Sequence, residues 1–182
     1  MVDIDFLMKG NKMAKREILL RNGTSFEFKV MNDVITEFPE AKIYHDVKYY
    51  STYLQQETQV DLLIITSTGV FMIEAKNWKN WVAGTYDDFF WYGRSRESKT
   101  LKVHNIVMQN LIHIRELRNI LRVRGYEPPV FHNIVVFPDG TELRTECSEV
   151  INLSKLHRTM NKVQDTVDVK ELTRNLEVVF NE

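Results

Sequence analysis

VDLLIITSTGVFMIEAKNW, residues 60–78, is the stretch on which the fold turns. Two runs rich in β-branched and aromatic residues flank a short glycine-containing segment, the signal of a β-hairpin. Both runs are apolar on both faces. Leu63 and Ile65 share a side with Asp61, and Val70 and Met72 share a side with Glu74. Strands of this kind belong in the middle of a sheet that is covered above and below. Yet they carry Asp61, Glu74 and Lys76, and unpaired charge is costly to bury.

Pleat geometry shows how the cost is offset. Glu74 and Lys76 are two residues apart and point to one face. A loop with an even number of residues, Thr68-Gly69 or the four from Ser67 to Val70, sets Asp61 opposite Lys76 on that face. A three-residue loop sends Asp61 to the other side. The even register gathers two carboxylates and an ammonium at one end of a central hairpin. Adjacent hard oxygen ligands suit Mg²⁺, and a neighbouring lysine can orient a water or stabilise charge on a phosphate.

Asp61, twelve intervening residues and then Glu74-Ala75-Lys76 resemble the D…(D/E)-x-K signature of the PD-(D/E)XK nuclease superfamily. The wider wording, Gln59-Val60-Asp61 and Gly69-Val70-Phe71-Met72-Ile73-Glu74-Ala75-Lys76-Asn77-Trp78, is similar to the nuclease-related domain (NERD) family within it, over roughly residues 23–138. The resemblance implies an α/β, restriction-endonuclease-like three-layer sandwich, a central mixed sheet flanked by helices with an αβββαβ core. It implies a Mg²⁺- or Mn²⁺-dependent nuclease, a phosphodiester hydrolase; DNA is the expected substrate, with RNA left open, and a basic tract over 93–125 that holds the backbone would give little sequence preference. Asp61, Glu74 and the Ala75 carbonyl would hold the metal, and Lys76 would position the attacking water. Relatives carry a glutamate at the start of the first helix and a glutamine at the start of the helix after the catalytic strand. Glu27 and Gln109 match those positions, with Glu17 in reserve for the first. The chain departs from the pattern with Phe26 in place of a glycine and Asn105-Ile106 in place of Asn-Pro.

With 182 residues, 43% hydrophobic and 27% charged, the composition is that of an ordinary globular domain. Residues 1–22 read as an N-terminal helical extension and 23–182 as a single domain. No apolar run approaches a membrane span, no signal-peptide core is present, and the lone Cys147 excludes an internal disulfide. A cytoplasmic protein without membrane contact is the expectation. Net charge is −1, but residues 93–125 hold eight basic residues against Glu97 and Glu116. Arg94, Arg96, Lys99, Lys102, Arg115 and Arg118 are the candidate contacts to a nucleic-acid backbone, and a solvated helix face is the plainer reading. Cutting both strands of a duplex at once calls for two sites where one domain has one, which leaves a homodimer as an open option.

Elsewhere, Thr24 or Ser25 caps a helix to about Phe38, followed by a strand over 41–50. A second hairpin over 81–92 turns near Asp87-Asp88; its aromatics either cover core or stack on bases. A long helix over 103–123 buries Val103, Val107, Leu111, Ile114, Leu117 and Leu121. Its histidines, His104 and His113, read as surface or half-buried groups rather than ligands. Strands over 130–137 and 147–151 and helices over 154–164 and 168–180 complete the layers. Two other readings compete with the enzyme: a nucleic-acid-binding or protein-interaction module on the same fold, and a structural Glu74–Lys76 pair with no role for Asp61.

Overall fold

The structure, a computed structural model, describes residues 26–51, 55–94 and 99–180. The expected N-terminal extension, the caps Thr24 and Ser25, Glu17 and Arg96 lie outside them. The elements run α1 (Phe26–Glu37), β1 (Lys42–Ser51), β2 (Gln56–Thr66), β3 (Gly69–Ala75), β4 (Trp81–Ala83), β5 (Phe90–Arg94), β6 (Thr100–His104) and α2 (Ile106–Val123). They continue with β7 (Phe131–Phe137), β8 (Glu142–Arg144), β9 (Val150–Asn152), a 3₁₀ turn (Leu153–Lys155), α3 (Leu156–Met160) and α4 (Val169–Phe180).

The central sheet has the order β1-β2-β3-β7-β9. The β1-β2-β3 meander is antiparallel; β7 and β9 add parallel strands, which makes the sheet mixed. Every residue of β3 is buried, as the two-sided apolar pattern requires. Leu62, Ile64, Phe71 and Ile73 pack on α1 and α3 through Val30, Val34 and Leu156. Leu63, Ile65, Val70 and Met72 pack on α2 and α4 through Ile114, Leu117, Leu121, Leu172 and Leu176. This is a mixed α/β sandwich with helices on both faces of the sheet.

The hairpin register differs from the expected one by two residues. Thr66 pairs with Gly69, so the loop is Ser67-Thr68. Gly69 is a strand residue, chosen for space rather than for the turn: a Cβ there would meet the Phe71 ring at 2.7 Å and Val163 at 2.8 Å. The turn is held by the Thr66 hydroxyl, which donates to the Gly69 carbonyl and receives the Thr68 N–H. The loop is still even, so Asp61 keeps the side of Glu74 and Lys76, but the residue across from it in this register is Glu74 rather than Lys76.

A break crosses β1 and β2 at the same level. Asp46 has a left-handed backbone (φ 54°), a conformation that aspartate tolerates better than most residues. Ile43 lies on the α1 side, whereas Val47 and Tyr49 lie on the α2 side. In the same way Leu62 faces α1 and Val60 faces α2. The alternation therefore reverses at the Asp46/Asp61 level, and the outer half of the two-stranded ribbon curls over α2.

A second sheet, β6-β5-β4-β8, follows the central hairpin. The expected second hairpin is its β4-β5 pair. The helix expected from Val103 begins instead at Ile106, because 100–104 pair with β5. Asn105 caps α2, its Oδ1 accepting from the Val107 and Met108 N–H groups. The Asn105 amide donates to the carbonyls of Thr85, Tyr86 and Asp88, which pins the β4–β5 loop to the helix start. Cys147 is a buried thiol in the apolar layer beneath this sheet. Among the described residues no helix is long and apolar enough to cross a membrane.

Two glycines let this sheet close on its tryptophans. A Cβ on Gly84 would stand 2.3 Å from the Trp91 ring, and one on Gly93 2.3 Å from Trp78. Gly84→Ala and Gly93→Ala are each expected to destabilise by about 1–3 kcal/mol in urea unfolding. Gly140→Ala, which meets nothing within 4 Å, should leave the midpoint unchanged or slightly raised.

Candidate active site

The site lies where the sheet breaks. Beyond the Leu62–Ile73 pair the β2–β3 backbone ladder stops, and the Asp61 side chain takes over: the Ala75 N–H donates to its Oδ2 at 2.9 Å. Lys76 continues β3 through its N–H bond to the Val136 carbonyl, 2.9 Å, and its ammonium bonds directly to Glu74 Oε1. The Glu74 side chain is 4% exposed and that of Lys76 25%. Glu27, in the first turn of α1, reaches the same place: its Oε2 is 3.1 Å from His45 Nε2. The other ring nitrogen of His45 stands 3.3 Å from Asp46 Oδ2.

These charges act on one another. Burial and the neighbouring Glu74 carboxylate push the Asp61 carboxyl up to about 7. Burial alone would pull Lys76 down, but Glu74, Asp61 and Glu27 together outweigh it and hold its ammonium above the ordinary value. The hydrogen bond from His45 draws Glu27 below the usual carboxylate range, with the Lys76 charge adding to the effect. His45 is correspondingly raised by its bond to Glu27 and by Asp46 and Asp61. The structure thus groups Asp61, Glu74, Lys76 and Glu27, all four named from sequence.

The donor set fits a divalent cation. Three carboxylates face one ammonium, and Asp61 holds its proton to an unusual pH because it is buried and because the Glu74 carboxylate lies beside it. A cation would relieve that repulsion. Asp61 and Glu74 would hold it, with the Ala75 carbonyl on the same strand. Glu27, His45 and Asp46 bring ligand atoms within 4.8 Å of one another, and the hydrogen bond of His45 to Glu27 and its ion pair with Asp46 already account for that cluster.

Sequence reading missed His45 and placed His113 at or near the surface, whereas it is buried. His45 sits in β1 paired with Leu62, one residue from the break. His113 is 1% exposed, on the sheet side of α2. Its Nδ1 is 2.9 Å from the Tyr49 hydroxyl, which also donates to Glu116 Oε2 at 3.2 Å. Ser51 donates to the other Glu116 oxygen at 2.7 Å. A phenol has one proton, so Tyr49 gives it to Glu116 and accepts from His113 Nδ1–H. Burial lowers the His113 pKa, which favours this neutral tautomer, and its Nε2 is left buried without a partner. The charges of Glu74 and Lys76 both reach this ring. Polar residues at 110 and 113, inside the apolar stripe of α2, were the available signal. Asn110 anchors the helix by donating to the Met72 carbonyl and to Asn133. Gln109, by contrast, is exposed.

The basic tract is divided. Lys102 and Arg94 lie on the outward face of the second sheet, whose inward face packs on the start of α2. Lys99 is exposed just before β6, while Arg115 is exposed and Arg118 half-buried on α2 itself. A single stripe along 93–125 is not what the fold builds.

Comparison with known proteins bears out the family resemblance. The model of the nuclease-related domain family matches residues 22–138, more than half of the chain. The chain belongs to this family. It is also similar, at 28% identity over 117 residues, to an uncharacterized protein of Bacillus anthracis. That match covers 63% of this chain and 53% of the relative, so the chain spans about half the relative's length. No solved structure matches it.

The raised Asp61 carboxyl has a consequence for stability. Between about pH 4 and 7 the native state keeps a proton that the unfolded chain has lost, so stability falls as pH rises through that window. Asp61→Asn keeps an acceptor for Ala75 and removes the charge. Thermal melts in chelator should show a falling midpoint over that range for the wild type and a flatter one for the variant, with the variant more stable at neutral pH.

Proposed function

We propose that this protein is a metal-dependent nuclease that hydrolyses phosphodiester bonds of DNA with little sequence preference. The observation that supports it best is the convergence of Asp61, Glu74, Lys76 and Glu27 at the break in the sheet. Asp61 and Glu74 would hold a divalent cation, which would supply positive charge for the phosphate oxygens and acidity for the attacking water. The chain's own residues do the rest.

Lys76 has one N–H on Glu74 and two left to orient a water or a phosphate oxygen. Glu74 thereby serves twice, as a metal ligand and as the anchor that aims the ammonium. Asp61 is held at the mouth of the β2–β3 ladder by Ala75, which restricts its rotamers and leaves its second oxygen for the cation. Glu27, kept ionised by His45, adds a negative charge that draws the cation into this end of the sheet. Lys and Arg side chains contact phosphates without reading bases, consistent with weak sequence preference.

The test uses linear duplex, circular and single-stranded DNA, and RNA, each with Mg²⁺ or Mn²⁺. Cleavage should vanish in chelator and fall roughly a hundredfold or more in Lys76→Ala. Metal-dependent thermal stabilisation should persist in Lys76→Ala and disappear in Asp61→Asn. Cleavage that survives the chelator, or is indifferent to residue 76, would remove this reading. Binding without any cutting would transfer the fold to the role of a nucleic-acid-binding module. The rate should rise with pH through neutrality, since Asp61 must shed its proton to hold a cation.

A further inference from the structure

The second sheet has one dry face and one wet face, and register assigns every residue to a side. Val82, Trp91, Gly93, Leu101, Val103 and Leu143 turn inward on the layer that contains Ile106, Val107 and Phe137. Cross-strand pairs then place Phe90 with His104, Tyr92 with Lys102 and Arg94 with Thr100 on the opposite side. The partners of Ala83 are Tyr92 and Arg144, and Trp81 pairs with Glu142. Three aromatic rings, Trp81, Phe90 and Tyr92, are thus interleaved with Arg94, Lys102 and Arg144. Among the described residues of these strands the one carboxylate on this face is Glu142, 2.8 Å from Arg144.

The cations lie over the rings. Lys102 Nζ is 4.0 Å from the Phe90 centroid, and the Arg144 guanidinium is 5.1 Å from that of Trp81. Tyr92 is 44% exposed, and Phe89, edge-on to Phe90 at the end of the same strand, 69%. Trp81 and Phe90 are half-buried beneath their cations, so the open ring area is that of Tyr92 and Phe89, and such area is costly in water unless something covers it. The geometry points to single-stranded nucleic acid as its occupant: the rings of the β4-β5-β6-β8 face stack on bases while Arg94, Lys102 and Arg144 take the phosphates. A duplex hides its base faces within the stack, so a platform of rings selects the unpaired strand. This extends the nuclease reading by naming its substrate class, and rests on it for the purpose of the face. Continuity with the site supports the choice. The Lys79 N–H donates to the Arg94 carbonyl at 2.9 Å, and Trp78 lies against Gly93. The second sheet therefore begins on the segment that follows Glu74 and Lys76.

Binding is best measured on the full chain in chelator, where nothing can be cut, by fluorescence anisotropy of a labelled oligonucleotide of about 16 nucleotides and of the same sequence as a duplex. The single strand should bind roughly tenfold or more tightly than the duplex. Tyr92→Ala and Trp81→Ala should each weaken the single strand about tenfold and leave duplex affinity and the thermal midpoint unchanged. Tyr92→Phe should restore binding. Lys102→Ala should lower the salt slope by about one phosphate contact. Equal affinity for the two forms, or an indifferent Tyr92→Ala, overturns the assignment even if the protein cuts DNA. Ring-dependent binding by a protein that never cuts would instead leave the face standing and remove the nuclease reading. A face that binds only protein overturns the inference outright.

Discussion

The hydrogen bond from the Ala75 N–H to the Asp61 carboxylate is the contact on which the architecture of the site depends. It forms where the β2–β3 ladder runs out, so a side chain completes what the backbone no longer can. A buried peptide N–H left alone costs about 1–3 kcal/mol, which is reason enough for an acceptor at that spot. Because the acceptor is ionisable and lies beside Glu74, the same device that terminates the ladder creates an electrostatic site. The left-handed Asp46 on the neighbouring strand reverses the side-chain alternation at the same level. The ribbon beyond it is therefore free to curl over α2.

Charge burial and scaffold rigidity are linked in this arrangement. Glu74 is almost fully enclosed, which is tolerable because Lys76 pairs with it and because further polar groups stand around the pair. Above it, Tyr49 and Ser51 on the curled ribbon grip Glu116, and Tyr49 also holds His113. That network ties β1 to α2 across the site. Burial, more than the carboxylate itself, holds the Tyr49 phenol well above its ordinary value, so it stays a donor at any physiological pH. His113 consequently presents a fixed tautomer toward the region of Glu74 and Lys76.

The second sheet shows how one pattern can serve two ends. Aromatic residues over 78–92 divide between its faces: Trp78 and Trp91 fill the layer against α2, whereas Phe89 and Tyr92 are exposed. Periodicity of two makes the division automatic once the strands pair. Gly84 and Gly93 are required because the buried tryptophans press against the backbone itself. The wet face inherits rings and cations in alternation, joined to the active-site strand through Lys79 and Trp78.

Much of this was legible in the chain. Two-sided apolar runs around an even loop specified a buried central hairpin, and parity alone set Asp61, Glu74 and Lys76 at one end of it. The first-turn position of Glu27 and the 3/4 stripe of α2 were also local patterns, readable without a partner strand. Other features were settled by contacts between residues far apart in sequence. Gly69 looked like a turn glycine until the Phe71 ring and Val163 claimed its space. Val103 looked helical until pairing with Trp91 made it a strand residue. His45 carries no local mark of its surroundings, and His113 only its place inside the apolar stripe, since each is defined by what the Asp46 break and the curled ribbon bring against it. Strand pairing of 142–144 with β4 was equally invisible, because a three-residue strand has too little pattern to announce its partner. Local periodicity determines which way a side chain points; only packing decides what it meets there.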